Sequence, residues 1–345
     1  MLDQPCKTVH AFVTIHNAFS AMEQHLHHAH PLSNLHEIVP ENALLTLMPA
    51  HLRHRFETAL QLMHQSLAEP LSWETIAQRS AISPFHFHRQ FTQLFHETPG
   101  QYLNRLRLQF AVSRLLTVPQ ASVTDIALSA GFSSSQALAK ALKRETGFQP
   151  KQVKLLGAQG TPEETMAFLA KLAHPSQRFS SGQTPQSLEQ QLAATMPCEL
   201  LWFPARGISR PVTHRGNWTH FHEHFGARTA KMLCATPISQ LERSWQDMSA
   251  SFGLWRMPPE TGDDVIEAGH YLCSQVRVAS EIAYLKAIES LFQIAENLGY
   301  EINTSGCLLE TLLEMDTDFA GYAIFYFQIP VESPDAERFP NGQTP

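Results

Sequence analysis

Long apolar runs are missing from these 345 residues. No stretch approaches the ~20 consecutive apolar residues that a bilayer-spanning helix needs. The N-terminus also lacks the basic start, apolar core and small-residue cleavage site of a secretory leader. Neither membrane insertion nor export is expected. Cysteine is scarce and scattered: Cys6, Cys198, Cys234, Cys273 and Cys307 never fall at Cys-x-x-Cys spacing. That excludes a zinc ribbon and a disulfide framework, and it fits a reducing, cytoplasmic setting. A Gly-x-Ser-x-Gly elbow, a phosphate loop and a Rossmann glycine fingerprint are absent as well, so no enzyme, catalytic residue or cofactor is expected. What is present is 43% apolar residues, enough for real cores, on a chain long enough for two or three domains.

The net charge of −7 conceals a strong asymmetry. Residues 1–50 carry −3 and residues 156–345 carry −10, while residues 51–155 carry +6, with twelve Lys and Arg against six Asp and Glu. A basic segment between acidic ones has the electrostatic footprint of a polyanion-binding module.

Residues 1–48 form a His-rich extension without clear periodicity and are left unassigned. From Leu52 a helical stripe runs through Phe56, Ala59, Leu60, Met63 and Leu67, and Pro70 ends it. Ser72, Ser83 before Pro84, Thr98 before Pro99, Ser122 in a capping-box arrangement with Asp125, and Ser133 then read as successive helix N-caps. Phe87, Phe91 and Leu94 face inward on one helix, and Tyr102, Leu103, Leu106, Phe110 and Leu115 on a longer one. Gly147 and Pro150 close the set.

Within this region the chain repeats itself. Ile76-Ala-Gln-Arg-Ser-Ala-Ile-Ser83 aligns with Ile126-Ala-Leu-Ser-Ala-Gly-Phe-Ser133, fifty positions on. Each copy predicts a short helix, a tight turn at Ala81 or Gly131, a serine cap and a second helix. Two such units joined by one long helix would present two protruding helices, spaced to enter successive major grooves ~34 Å apart.

These residues resemble the DNA-binding domain of AraC-type regulators. The resemblance runs through Pro70-Leu-Ser-Trp73, Ile76-Ala77, Ser83-Pro-Phe-His-Phe-His-Arg-Gln-Phe91, Thr98-Pro-Gly-Gln-Tyr102 and Leu106-Arg-Leu108. It continues through Ala111, Leu115-Leu116, Asp125-Ile-Ala127, Gly131-Phe-Ser133 and Gly147-Phe-Gln-Pro150. Ala81 and His96 stand where the family has glycine, and Leu142 where it has phenylalanine. Ala81 is strained if its φ is positive. On the solvent side of the first reading helix lie Phe85, His86, His88 and Arg89. Arg89 suits the N7/O6 edge of guanine, Phe85 a thymine methyl, and His88 a base or phosphate. Ser135, Gln136 and Lys140 take the corresponding places in the second, with Leu138 and Leu142 inward. Gln136 suits adenine and Lys140 guanine or phosphate. Ala137 and Ala139 leave this helix less reach, so it is expected to position more than it specifies.

A helix (Pro162–Leu172) and a linker fill residues 157–196. Beyond them, strand-like runs at Glu199–Phe203, Ile208–His214, Tyr271–Val278, Cys307–Leu313 and Tyr322–Ile329 alternate with two amphipathic helices. The first would bury Trp218, Phe221, Phe225, Met232 and Leu233. The second would bury Leu285, Ile288, Leu291, Phe292, Ala295 and Leu298. The expected architecture is thus multidomain. An all-α tandem helix-turn-helix domain (49–156) precedes an α+β domain (197–331) of duplicated strand–helix–strand–strand units on an antiparallel sheet, with 332–345 a disordered tail. His214-Arg-Gly216, Ala268-Gly-His-Tyr271, Gly299-Tyr-Glu301, Leu309-Glu310 and Ile329-Pro-Val331 give this second part a resemblance to GyrI-like ligand-binding domains. That resemblance implies an acidic ligand-pocket residue at Glu310, suited to cationic, amphipathic molecules between aromatic walls. Tyr271, Trp255, Trp218 and Tyr322 are candidate walls. The segment Phe252–Glu267 is short for two family strands.

His220-Phe-His-Glu-His224 fits the spacing of inverted zinc peptidases, and His25, His27, His28, His30 and His36 form a histidine cluster. Both read as exposed histidines, so no metal is expected. The expected function is a cytoplasmic, sequence-specific regulator of transcription. Its partners would be double-stranded DNA, a small-molecule effector and RNA polymerase. The alternatives are a hydrolase or drug-sequestering domain built on Glu310, and an interaction module that inhibits a DNA enzyme.

Overall fold

The computed structural model describes residues 35–67, 71–175, 186–209, 218, 222, 225–256, 258–316 and 322–332. The chain enters through a short strand, β1 (His36–Ile38), and a short helix, α1 (Pro40–Leu45). Eight helices follow: α2 (Ala50–Gln65), α3 (Trp73–Arg79), α4 (Pro84–Phe95), α5 (Pro99–Thr117), α6 (Val123–Ser129), α7 (Ser135–Thr146), α8 (Pro150–Gln159) and α9 (Pro162–Leu169). Their starts follow local chemistry. The side chains of Ser72, Ser83, Thr98 and Ser122 each accept a hydrogen bond from the backbone N–H three residues on, satisfying donors that a helix leaves open. Proline stands in the first turn of α4, α5, α8 and α9, where no N–H is needed. The cap of α7 is Ser134 rather than Ser133, because its hydroxyl is the one that reaches Ala137 N.

The helices build two cores joined by α5. The first is aromatic, with Phe56, Phe87, Phe91, Phe95 and Tyr102 fully buried. The second is aliphatic, built on Leu108, Leu115, Ile126, Leu138 and Leu142. Along α5, Tyr102, Leu103 and Leu106 serve the first core; Leu108, Ala111, Val112 and Leu115 serve the second. Phe110, expected inward, is 38% exposed, because the helix turns from one core to the other at this point and both inward faces pass it by.

After α10 (Leu188–Ala193) the chain forms β2 (Glu199–Phe203), β3 (Arg206–Ser209), β4 (Met232–Pro237), β5 (Ser251–Arg256), β6 (Asp264–Ile266), β7 (Gly269–Val278), α11 (Glu281–Asn297), β8 (Cys307–Met315) and β9 (Ala323–Val331). One sheet runs β1-β7-β9-β8-β4-β5-β3-β6, with β2 also on β7. The sequence β7–α11–β8–β9 has the expected strand–helix–strand–strand order. In the first half, Met232 and Leu233 begin β4 instead of ending a helix. Residues 210–217, with the greater part of the helix expected after them, lie outside the described residues, as do residues 333–345.

Two findings correct the expected architecture. The sheet is not antiparallel throughout, since β1 pairs in parallel with β7, His36 opposite Val276 and Ile38 opposite Val278. Part of the unassigned extension therefore belongs to both neighbours. Arg277 pairs with Glu37 beside β1, while Tyr102 of α5 donates to Glu41 of α1 at 3.1 Å. On α11, Ala283, Ala287, Leu291 and Ala295 form the buried stripe, and Leu298 is 59% exposed just past the last turn.

A buried polar cluster fills the junction between the first helical core and the sheet. Arg105 makes a bidentate contact with Glu97 (Nη2 to Oε1 2.6 Å). The His174 ring lies 4.0 Å from the same carboxylate, and its backbone N–H donates to Glu189 of α10 at 3.0 Å. His64 meets the Tyr102 hydroxyl at 3.1 Å. Burial and the nearby Arg105 guanidinium hold the His174 imidazole down at about 4.

Candidate nucleic-acid interface and effector site

The two predicted turns are built alike. In the first, Ser80 N donates to Ile76 O, Ala81 N to Gln78 O and Ile82 N to Ala77 O, at 3.0, 3.0 and 2.9 Å. In the second, Ala130 N, Gly131 N and Phe132 N donate to Ile126 O, Leu128 O and Ala127 O at the same three distances. Both turn residues are left-handed, with φ 55° at Ala81 and 76° at Gly131. Glycine adopts that conformation without strain, whereas alanine loses ~1–2 kcal/mol there. Gly131 has a second reason: a Cβ on it would lie 1.9 Å from Leu67 O, so the second turn packs directly on the backbone just past α2.

From these turns α4 and α7 project their outer faces. Phe85 is 77% exposed, and His86 and Arg89 are exposed beside it. His88 is half-buried, its ring 5.3 Å from that of Trp73. Trp73, Phe85, His88 and Arg89, with Thr92 and Gln93, line a surface hollow of about 500 Å³. Trp73 was not singled out from the sequence; its place one residue after a cap, facing the next helix, was the available signal. On α7, Gln136 and Lys140 are exposed, and Ser135 is half-buried with its hydroxyl directed at Gln136 Oε1, 3.3 Å away. Neither Arg89 nor Lys140 has a hydrogen-bonding or ionic partner among the described residues.

Residues 76–155 match the family model described as a helix-turn-helix domain. The chain carries a helix-turn-helix domain. Over 100 residues it is 40% identical to the HTH-type transcriptional activator RhaS of Escherichia fergusonii, covering 29% of this chain and 36% of that protein. Over 131 residues it is 33% identical to RhaS of Escherichia coli O139:H28, covering 36% and 47%. The chain thus spans less than half the length of these curated relatives. Among solved structures, a transcriptional regulator with an AraC-type DNA-binding domain from Chromobacterium violaceum is 28% identical, covering 32% of this chain and 98% of its own, with a TM-score of 0.30. The DNA-binding domain of AdpA, solved with a target DNA, is 30% identical over 30% of this chain and 90% of its own, with a TM-score of 0.27. All four likenesses leave most of the chain uncovered.

The sheet divides the sequence-predicted ligand residues between its faces. Glu310 of β8 faces α11 in a cross-strand row with Phe252, Cys234 and Phe327. It is 5% exposed. Its carboxylate accepts from the Tyr284 hydroxyl of α11 and from Trp218 Nε1 at 3.4 Å. Burial pushes the carboxyl above its ordinary range, and these two hydrogen bonds pull it partly back. Trp218 packs edge-on against Phe252 (4.7 Å) and Phe325 (5.7 Å), and Tyr284 against Phe325 (5.0 Å) and Phe327 (5.5 Å). Tyr284 is a wall that the sequence reading missed, although it lies on the same helical face as Ala287 and Leu291.

Tyr271 and Trp255 are corrections, because both belong to the core on the opposite face. Side chains alternate along a strand, so odd-numbered Tyr271 points away from the face that Leu272 and Val276 share with α11. On that side the Arg206 guanidinium lies over Phe203 (4.5 Å) and Tyr271 (5.2 Å) and donates to Gln328 at 3.0 Å. Tyr322 is elsewhere again, its ring under Arg277 and its hydroxyl 3.4 Å from Glu314 at the sheet's end. His36 is engaged with Leu192 O at 2.8 Å. The other clustered N-terminal histidines, and His220, Glu223 and His224, lie outside the described residues.

Among the described residues no three metal-ligating side chains cluster, and no helix is long and apolar enough to cross a membrane.

Proposed function

We propose that this chain is a sequence-specific DNA-binding regulator of transcription, controlled by a small cationic, amphipathic effector at Glu310. The observation that carries the first half is the equivalence of the two turns. They set Phe85, His86 and Arg89 exposed with His88 half-buried on one helix, and Gln136 and Lys140 exposed with Ser135 half-buried on another, within the basic segment of an otherwise acidic chain. Phosphate contacts would supply affinity through Lys and Arg, and base-edge contacts from Arg89 and Gln136 would supply sequence discrimination. The second half is supported by a buried carboxylate ringed by Trp218, Tyr284, Phe252, Phe325 and Phe327. This is an environment that stabilises an organic cation through charge and ring faces. Such an effector acts by binding one arrangement of the chain more tightly than another, which changes how it holds DNA or RNA polymerase.

Binding to promoter fragments over a salt series is the test. Sites bound at least a thousandfold tighter than random duplex are expected, with affinity falling as salt rises. Equal affinity for every duplex would overturn the reading.

A further inference from the structure

We infer a second ligand site, in the groove between α9 and α11, that takes a hydrophobic organic cation. It is distinct from Glu310, which meets α11 at Tyr284, a residue outside the groove lining. The groove encloses about 570 Å³, within the ~300–1,000 Å³ of small-molecule sites. Its floor is apolar: Met166 from α9, Ile288 and Phe292 from α11, and Leu241 and Ile302 from the flanking loops. Glu163, Glu289 and Glu296 rim it, and no cationic side chain among the described residues lines it. Lys286 offsets Glu289 at 2.6 Å, while Glu163 and Glu296 have no ionic partner among the described residues. Three carboxylates over an apolar floor repel anions and add nothing for neutral molecules. They favour a compact cation whose charge stays near the rim while its rings bury against Phe292 and Tyr300.

The groove is preformed. The loop after β4 clasps α9, with Trp245 N donating to Gly160 O at 2.9 Å and Trp245 Nε1 to Thr165 Oγ1 at 2.8 Å. It also joins the two halves of the chain. Phe168 and Leu169, on the same helix as Met166, are buried in the core of the second reading unit, which Ile282 at the start of α11 also enters, whereas the rest of α11 packs mainly on the sheet. A ligand touching both helices senses how they are set against each other, a position where binding can be coupled to DNA reading.

Titration calorimetry of the full chain with tetraphenylphosphonium, and with tetraphenylborate as its anionic counterpart of equal shape, decides the matter. In Glu310→Gln, cation binding is expected to persist at one equivalent, at least tenfold tighter than the borate. Adding Glu163→Gln and Glu296→Gln, both exposed, and Glu289→Gln, half-buried, should weaken it tenfold or more. Met166→Lys, which places a competing charge in the wall, should do the same while far-ultraviolet dichroism stays unchanged. Cation binding that Glu310→Gln alone abolishes would overturn the groove and leave the Glu310 site standing. Equal binding of the borate, or affinity indifferent to the three glutamines, would overturn the groove alone. Self-association lost in Phe292→Glu, without cation binding, would assign the groove to a second copy of the chain.

Discussion

The two helix-turn-helix units share one backbone plan and differ in nearly everything attached to it. The first turns on a strained Ala81, packs five large aromatic side chains and adjoins the buried polar junction around Arg105. The second turns on a relaxed Gly131, packs mostly aliphatic side chains with Phe168 among them, and shares its core with Ile282 of α11. Their outer faces differ in the same sense, aromatic and guanidinium groups on α4 against a hydroxyl, an amide and one ammonium on α7. A fold of this kind fixes hydrogen-bonding geometry at the turn and leaves packing chemistry and surface reach to vary separately.

Substitution at the turns should separate the units most sharply. Gly131→Val is expected to cost about 3–5 kcal/mol in denaturant unfolding, from its φ and from the collision with Leu67 O. Ala81→Gly should be neutral or stabilising by up to ~1 kcal/mol. A comparable loss at both sites would mean that the turns are under the same constraint. Next, Glu97→Gln should destabilise by about 3–5 kcal/mol, because it leaves the Arg105 charge buried without its partner. The second unit has no equivalent pair among its described residues.

The junction should also respond to acid. The folded-state value of about 4 for His174 lies below its ordinary 6.5, so the unfolded chain binds the proton first. Its contribution is therefore complete above about pH 6.5 and is lost as pH falls toward 4, up to about 3 kcal/mol. Glu97 and Glu189, raised by burial, contribute in the opposite sense. The difference between wild type and His174→Gln, rather than either profile alone, is thus the measurement. Parallel profiles would refute the assignment.

The smallest effects concern DNA. Arg89→Ala should weaken specific binding by about 1–3 kcal/mol and relax preference at one base pair. Gln136→Ala should do less. Lys140→Ala should weaken all sequences alike and reduce the salt slope by about one. A larger loss at Gln136 than at Arg89, measured on the same operator, would reverse the roles given to the two units.

Local chemistry made the helical half readable. Caps, prolines and the Ile-Ala repeat are signals carried within a few residues, and the turns appear where those signals lie. The misses arise where distant packing decides. Phe110 is apolar and in phase, yet it falls where α5 passes between two cores. The stripe drawn through Leu285, Ile288 and Phe292 is real, but it faces the groove and its margins. The deeper stripe of Ala283, Ala287 and Leu291 is small-residue rich and faint in hydropathy, and Tyr284 was lost with it. The pairing of Glu310 with Tyr271 failed because assigning two strand residues to one face needs the register between strands, which neither strand carries alone. The strand at His36–Ile38 was invisible for the same reason, three residues whose partner lies in another part of the chain.

That parallel pairing has a consequence for biosynthesis. Glu37 and Arg277 are 240 residues apart, so β1 meets its partner strand only after most of the polypeptide has been made. At ~5–20 residues per second the wait is about 10–50 s. During that interval the helical units, whose contacts are short in range, can already be complete. Docking of β1 then records that translation has passed β7.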